Sequence, residues 1–298
     1  MVMILVTGGT GFVGQSLVRY LVSLGRPVRI LLRPSSESPR LPRGLPVEVA
    51  VCGLTDERGL RAAMKDVNVV FHLASAEHGG GKADLNGVDV EGTEHLVRAA
   101  SQAAVERLFY LSHIGADRSS AFPVFRAKAL AEGCIQQSGV PYTIFRSAML
   151  FGEGDHFSRA MSRLIKSSPL FLFIPEDGDM LLQPLWVEDL VVCLGLALDD
   201  DQMINQTIQV GGGEYLSFRD VMELLLKKNH KRRILVPASP AYLRLLGLFW
   251  DQLQPKRSIS YYWLDYLAAD RTCAVDTLPR LFGLLPARYG QLLDNLNN

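Results

Sequence analysis

The chain has 298 residues, of which 48% are hydrophobic and 21% charged, as expected of a globular protein with a substantial core. Lys and Arg together number 31, as do Asp and Glu, so no overall charge attracts nucleic acid or an anionic membrane. The four cysteines form no Cys-x-x-Cys pair, and none has a histidine at zinc-ligand spacing, so we expect free thiols and no metal site. The chain opens directly on an apolar strand pattern, and no apolar run is long enough to span a bilayer, so we expect a cytoplasmic protein.

Apolar runs alternate with helical patterns through the first half of the chain. Wholly apolar runs predict strands that are buried on both faces, and intervening helices predict parallel pairing through right-handed crossovers. The predicted strands are Met3–Thr7, Val28–Leu32, Val47–Val51, Val67–Leu73, Leu108–Ser112, Tyr142–Arg146 and Thr207–Val210. The predicted helices are Gln15–Leu24, Glu57–Met64, Gly87–Ala104 and Lys128–Gln137. We therefore predict an α/β fold with a doubly wound, mostly parallel sheet and a small C-terminal lobe.

A glycine-rich turn joins the first predicted strand to the first predicted helix. Glycine at Gly8, Gly11 and Gly14 permits a tight turn, close approach of the backbone to a pyrophosphate, and close packing of helix on strand. The free N–H groups of the helix N-terminus then bind the pyrophosphate. We predict that a nicotinamide dinucleotide contacts the whole segment Thr7-Gly8-Gly9-Thr10-Gly11-Phe12-Val13-Gly14.

Arg33 ends the second predicted strand, where an NAD-selective site usually carries a carboxylate for the ribose 2′-hydroxyl. An arginine at this point suits a 2′-phosphate, and Ser35 can add a second donor. We therefore predict NADP as the cofactor, with NAD as the alternative. On the alternative interpretation, Arg33 is a solvent-exposed residue at the end of a strand.

Beyond the glycine turn, the chain resembles the extended and atypical short-chain dehydrogenase/reductases over most of its length. It is most similar to the atypical branch that includes the NADH-dehydrogenase accessory subunit of respiratory complex I. The resemblance is carried by the turn and by Val69–Ala74, Asn86 with Val88–Ala100, Leu108–Asp117, Ile144–Gly152 and Gln183–Leu190. We also predict cofactor contacts from Leu73, Ala74, Ser75 and Arg146. Many members have Gly-Asp-Leu after the third strand, whereas this chain has Cys52-Gly53-Leu54, so Leu54 is expected to hold the adenine by shape.

The resemblance implies chemistry by a Ser, a Tyr and a Lys, the last two as Tyr-x-x-x-Lys on one helix face. Ser112 matches the serine, and Lys128 matches the lysine, which also holds the nicotinamide ribose. Val124 stands at the tyrosine position and cannot transfer a proton. His113, next to Ser112, can replace the missing acid, although a strand-end histidine that bonds only the backbone is the simpler interpretation.

The predicted dinucleotide-binding core covers residues 1–150 and is completed by residues 183–210. Residues 151–182, which are rich in Gly, Pro and aromatics, are typical of a loop-rich insertion. Together with residues 211–298 they are predicted to form a lobe that contacts a substrate or partner. The basic run Lys227–Arg233 is either a solvated helix end or a contact for an acidic partner or anionic lipid. The apolar segment Tyr242–Leu253 follows it and can pack in the core or form an exposed face.

Two functions fit these patterns. The first is an NADP-binding reductase or isomerase that acts on a small substrate whose identity the sequence does not indicate. The second is a non-catalytic, cofactor-bound sensor or a structural or assembly subunit of a redox complex. The valine at position 124 favours the second function, whereas Lys128 fits both because it can bind ribose without doing chemistry.

Overall fold

The computed structural model describes residues 2–35, 44–79, 83–245 and 262–293. The chain forms two compact units. Unit 1 comprises Met1–Ala76, Asp84–Ser147 and Val187–Gln209. Unit 2 comprises Glu77–Ala83, Ala148–Trp186 and Val210–Asn298. Among the helices in the described ranges, none combines the length and the apolar character needed to cross a membrane.

Unit 1 is built on a seven-stranded parallel sheet with the strand order β3-β2-β1-β4-β5-β6-β11. The order reverses between β1 and β4, which places a topological switch point beside the glycine turn. The doubly wound α/β fold predicted from the sequence is therefore confirmed. The strands are β1 (Ile4–Thr7), β2 (Val28–Leu32), β3 (Glu48–Val51), β4 (Val69–His72), β5 (Arg107–His113), β6 (Tyr142–Ser147) and β11 (Gln206–Val210).

The helices of unit 1 pack in two groups. Helix α1 packs on α6, where Gly195 lies so close to Tyr20 that a Cβ atom would be 2.4 Å from the ring. Helices α2, α3 and α4 pack side by side, and apolar residues of these helices and of the sheet form one core. The bounds are α1 (Phe12–Ser23), α2 (Glu57–Ala63), α3 (Gly92–Gln102), α4 (Pro123–Gln137) and α6 (Val187–Leu198).

A π-helical stretch, Asn86–Glu91, leads directly into α3. Its wider turn is closed by the Gly92 N–H, which donates to the carbonyl oxygen of Gly87 five residues earlier. Asp89 lies within this stretch and is buried. The π-helical stretch therefore sets which side of the following helix faces the sheet.

Two elements of unit 1 differ from their predicted form. Strand β3 lies at the edge of the sheet as the described residues form it, and its residues Val49 and Val51 are exposed. Helix α4 begins at Pro123 rather than at Lys128, since proline at the first helical position needs no N–H partner. This earlier start places Val124 and Lys128 four residues apart on the same helix.

Unit 2 contains short strand pairs and helices. The pairs are β7 (Leu150–Phe151) with β10 (Leu185–Trp186), β9 (Leu181–Leu182) with β12 (Leu216–Ser217), and β8 (Phe171–Pro175) with β13 (Ile234–Ala238). The helices are α5 (His156–Ser167), α7 (Phe218–Lys228), α8 (Tyr262–Tyr266), α9 (Thr277–Phe282) and α10 (Tyr289–Leu293).

The prediction that residues 151–182 are a loop-rich insertion is wrong for its first half, which forms the twelve-residue helix α5. Asp155 accepts a hydrogen bond from the Ser158 N–H and so caps the helix, and Phe157, Met161 and Ile165 bury one face at a spacing of four residues. The predicted apolar segment Tyr242–Leu253 lies outside the described residues from position 246 onward.

A buried chain of hydrogen bonds lies beneath the glycine turn. Thr93 donates its hydroxyl proton to the Asp89 carbonyl at 2.6 Å, so its oxygen accepts from His72 Nε2 at 2.9 Å. His72 Nδ1 is then the acceptor for the Thr7 hydroxyl at 2.7 Å, and the Thr7 oxygen accepts from the Ala74 N–H at 3.3 Å. The network assigns a neutral His72 ring with its proton on Nε2.

The neutral ring of His72 makes folding stability depend on pH. Burial, and then the positive charge of Lys128, lower the pKa of His72 from 6.5 to about 3. The unfolded chain therefore binds a proton between these values that the folded chain does not bind. The stability contributed by neutral His72 is complete above pH 6.5 and is lost as the pH falls through this window.

We expect His72 to lower the free energy of unfolding by about 1.4 kcal/mol for each pH unit below 6. Urea denaturation of the protein and of His72→Gln between about pH 4.5 and 7 measures this slope. His95→Gln, at a half-buried position on α3, is the matched control. Equal slopes for the protein and for His72→Gln would contradict the assignment.

Candidate functional site

The glycine turn is shaped by contacts within unit 1. Gly8 has a φ of +69°, and a Cβ atom there would lie 2.7 Å from the backbone of Leu73 and Ala74. At Gly14 a Cβ atom would lie 2.1 Å from the carbonyl oxygen of Gly8, and at Gly9 it would lie 2.8 Å from Ile30 Cγ2. These three glycines therefore allow the turn, the neighbouring strand and the start of α1 to touch.

Gly11 differs from the other glycines of the turn because it is exposed. It is the N-cap of α1, and a Cβ atom there would meet only the Gly8 carbonyl oxygen, at 3.2 Å. No side chain caps the helix at this position, and its first turn holds no acidic residue. The helix N-terminus is thus left open to solvent with its positive dipole end uncompensated, which suits an anionic ligand.

Six of the other residues predicted to bind the cofactor follow the carboxyl ends of strands β4, β2 and β3. Leu73, Ala74 and Ser75 follow β4 and are half-buried. Leu54 follows β3 and is also half-buried, while Arg33 and Ser35 follow β2 and are exposed. Because parallel strands end at the same sheet edge, the fold brings all of these segments to the edge that holds the glycine turn. Arg33 forms no ion pair with any residue in the described ranges.

Lys128 is buried, and its ammonium group lies near a carbonyl oxygen, a carboxylate and an aromatic ring. Its Nζ lies 3.4 Å from the Leu111 carbonyl oxygen, 3.5 Å from Asp89 Oδ1, and 5.3 Å from the centre of the Tyr110 ring. Asp89 Oδ2 accepts from the Ala76 N–H at 2.9 Å, which fixes the carboxylate. A buried ammonium is costly unless an opposite charge lies near it, and Asp89 supplies that charge.

Ser112 and His113 are the last two residues of strand β5. Ser112 is fully buried, and its hydroxyl has no hydrogen-bond partner among the described residues. Buried hydroxyls nearly always have a partner, so this one is a feature that a bound ligand can satisfy. The His113 ring packs edge-on against Phe125 of α4 at 6.1 Å. Val124 is also buried, so an apolar side chain occupies the position where the resemblance expects a tyrosine.

Arg146, at the end of β6, is engaged within unit 1. Its guanidinium forms a two-pronged pair with Glu132 of α4, with contacts of 2.5 Å and 3.0 Å. The hydrogen bonds that Arg146 donates to Glu132 are also the main reason that the pKa of Arg146 is raised. Arg146 thus ties β6 to α4, the helix that carries Lys128.

The residues present fit a dinucleotide. The turn provides a cradle that a side chain at Gly11 would fill, and the open end of α1 provides donors and a positive dipole for phosphates. The orphaned Ser112 hydroxyl and the buried Lys128 ammonium offer donors at the ends of β5 and α4. The contacts predicted for the individual residues stay predictions.

Asp89 belongs to this site and was missed in the sequence analysis. Its helical spacing to Thr93, Leu96 and Ala100 places it on the buried side of the predicted helix. A carboxylate on a buried face requires a cationic partner, and Lys128 was already predicted to be a site residue. That spacing is the signal that could have found it.

A family described as NAD(P)H-binding matches residues 8–164, which is more than half of the chain. The chain is 39% identical to Sterol demethylase protein B of Methylococcus capsulatus, over 95% of this chain and 93% of that protein. It is 28% identical to the NADH dehydrogenase [ubiquinone] 1 alpha subcomplex subunit 9, mitochondrial, of Arabidopsis thaliana, over 74% of this chain. It spans only 56% of the length of that plant protein.

Solved structures share the fold. A nucleoside-diphosphate-sugar epimerase from Staphylococcus aureus superposes with a TM-score of 0.77 at 17% identity, over 99% of this chain and all of the other. A short-chain dehydrogenase/reductase superfamily protein from Agrobacterium tumefaciens, with bound NAD, gives a TM-score of 0.72 at 21% identity, over 98% and 95% of the two chains. The family match shows that the chain belongs to the NAD(P)H-binding family, and the sheet and the solved structures show that it has a Rossmann-like fold.

Proposed function

We propose that the protein is an NADP-dependent oxidoreductase that interconverts a ketone and an alcohol on a bulky apolar substrate. The observation that carries this proposal is the buried Lys128–Asp89 pair, whose lysine donates to the carbonyl oxygen of Leu111, the residue before the orphaned Ser112 hydroxyl. A purely structural lysine would be replaced by an apolar residue at lower cost, because a buried ion pair rarely stabilises a fold more than good apolar packing does. A lysine that binds a nicotinamide ribose has a functional reason to be buried despite the cost of desolvating its charge.

On this proposal, Lys128 holds the ribose and Ser112 orients the substrate oxygen. When bound, the reduced nicotinamide would supply a hydride to the ketone carbon, and the ketone oxygen would need a proton from the protein. Because Val124 cannot donate that proton, we assign this role to His113, the titratable side chain adjacent to Ser112 at the end of β5. Asp89 keeps the lysine ammonium in place and balances its charge.

The substrate class is inferred from the relative that is similar over nearly its whole length, Sterol demethylase protein B. Two mycobacterial 3-beta-hydroxysteroid dehydrogenases are also 35% and 36% identical, each over 37% of this chain or slightly less. These names support a fused-ring ketone or alcohol rather than a sugar nucleotide. An isomerase that works through the same hydride transfer is included in this proposal.

A second candidate function is a non-catalytic, nucleotide-bound subunit of a redox complex. It is favoured by Val124 at the tyrosine position and by the similarity to a complex I subunit. In that case Lys128 and Asp89 bind the dinucleotide and His113 has only a packing role. The two candidates differ in whether bound NADPH is consumed.

We also propose that the protein works in the cytoplasm. All four cysteines are free thiols, and two of them are buried. Free thiols persist in a reducing compartment, whereas disulfides are favoured outside it. Cell fractionation of the tagged chain tests this assignment.

The first prediction concerns Gly11. Gly11→Val places a branched side chain in the cradle while meeting only one backbone atom, so the variant should fold. We expect calorimetric titration to show at least a hundredfold weaker binding of NADPH, about 3 kcal/mol or more. Gly290→Val, where a Cβ atom would meet nothing closer than 3.9 Å, is the control. Unchanged affinity in folded Gly11→Val would refute the assignment of the turn.

The second prediction concerns cofactor choice. A charge-assisted contact between Arg33 and the 2′-phosphate is worth about 1.5–3 kcal/mol, which corresponds to at least tenfold tighter binding of NADPH than of NADH. Arg33→Ala should remove this preference, and the exposed Arg61→Ala, on α2, should keep it. Tighter binding of NADH than of NADPH by the unaltered protein would contradict the choice of NADP.

The third prediction concerns the proton donor. NADPH absorbance should fall when a 3-keto sterol is added, and should fall little with small ketones, which lack the apolar bulk of the proposed substrate. His113→Ala should lower kcat by about 10²–10⁴-fold, the range for general acid catalysis, whereas His95→Ala should not. Turnover that is unchanged in His113→Ala would refute the assignment of His113 as the proton donor. No turnover of any ketone by protein that binds NADPH would favour the non-catalytic candidate.

A further inference from the structure

The strand pair β8–β13 of unit 2 has an apolar outer face. The strands are parallel, and Phe171 pairs with Ile234 while Phe173 pairs with Val236. Leu172, which lies between the two phenylalanines, is buried, so alternation directs Phe171 and Phe173 to the opposite face. Phe171 is 49% exposed, Phe173 45% and Ile234 54%. A half-buried strand normally carries polar residues on its outer face, so this composition needs an explanation.

The apolar surface extends beyond the two strands. Leu170 directly precedes β8 and is exposed. Tyr242 follows β13 in the chain, is also exposed, and packs edge-on against Phe173 at 6.3 Å. We name Phe171, Phe173, Ile234 and Tyr242 the aromatic face.

Basic residues gather at one end of the aromatic face. Lys231 and Arg232 are exposed and lead directly into β13, while the exposed Lys166 lies in the last turn of α5, just before β8. The segments that lead into β8 and β13 lie side by side, because the Ile234 N–H donates to the Leu170 carbonyl oxygen at 3.0 Å. Arg233 Nε also donates to the Ser168 carbonyl oxygen at 2.6 Å, which holds the two segments together.

The opposite end of the strand pair is acidic. Glu176 and Asp177 follow β8 and are exposed. The charges are therefore sorted along the strand direction, with cations where β8 and β13 begin and anions where β8 ends. Exposed aromatic and aliphatic side chains bordered by Lys and Arg are the composition of surfaces that bind in the headgroup region of a bilayer.

We propose that the aromatic face docks on a membrane surface that carries anionic lipids, with Lys231, Arg232 and Lys166 toward the headgroups. Charge complementarity favours an anionic membrane, because the cationic side chains lie beside the aromatic face, where they can contact the lipid phosphate groups. The aromatic side chains then enter the interface between headgroups and acyl chains. The proposal concerns unit 2 alone and does not rest on the proposed function.

Sedimentation of the full chain with vesicles tests the proposal. We expect binding to phosphatidylcholine vesicles that contain about one third phosphatidylglycerol, and little binding to phosphatidylcholine alone. The binding should weaken strongly between about 0.1 M and 0.5 M salt, because the charges are screened. Lys231→Gln with Arg232→Gln should weaken it about thirtyfold, at about 1 kcal/mol for each base. Arg61→Gln with Lys65→Gln, which removes two exposed bases of unit 1, should leave it unchanged.

The apolar contribution is tested separately. Phe171→Ser with Phe173→Ser should weaken vesicle binding at least tenfold and should leave the protein folded, with only a modest fall in melting temperature, since both side chains are about half exposed. Val49→Ser with Val51→Ser, on the exposed edge strand of unit 1, is the matched control. Absence of binding to either kind of vesicle would overturn the proposal. A dimer in light scattering that Phe171→Ser with Phe173→Ser dissociates, without vesicle binding, would also overturn it and assign the face to a second copy of the chain.

Discussion

The contact between the start of α1 and the Gly8 carbonyl is the constraint on which the site depends. A Cβ atom at Gly14 would lie 2.1 Å from that oxygen, so any side chain there would push the helix away from β1. The close approach keeps the N-terminus of α1 at the carboxyl end of β1, beside the switch point between β1 and β4. Gly11, the N-cap, is then exposed at this switch point.

The buried charges under the glycine turn neutralise each other. Lys128 brings one buried positive charge and Asp89 one negative charge, so a third charge on His72 would have no counterion. His72 stays neutral, and its two ring nitrogens bond Thr7 and Thr93. The same residues thus link β1, β4, the π-helical stretch and α4. Arg146 and Glu132 form a second such link between β6 and α4. Loss of one member of either set would leave its partner buried and unsatisfied, which explains why the groups occur together.

The sequence indicated the sheet and the turn because both rest on local patterns. The apolar run at β1 and the glycines after it specify a buried strand and a tight turn without reference to the rest of the chain. Asp89 was missed since its importance depends on Lys128, which is far away in sequence. Helix α5 was missed because glycines and prolines on both sides of it mask a clear spacing of Phe157, Met161 and Ile165. The exposure of Phe171 and Phe173 also depends on tertiary packing, since the sequence shows only an apolar run.

The π-helical stretch Asn86–Glu91 sets the rotational phase of α3. A regular helix turns by about 100° for each residue. Removal of one residue from the π-helical turn would therefore rotate the residues that precede this turn by roughly 100° relative to α3. Thr93 would keep its place against His72, whereas Asp89 would turn away from Lys128. In evolutionary terms, a single insertion or deletion is enough to add or remove this extra residue. A chain without it would have to neutralise Lys128 by another route.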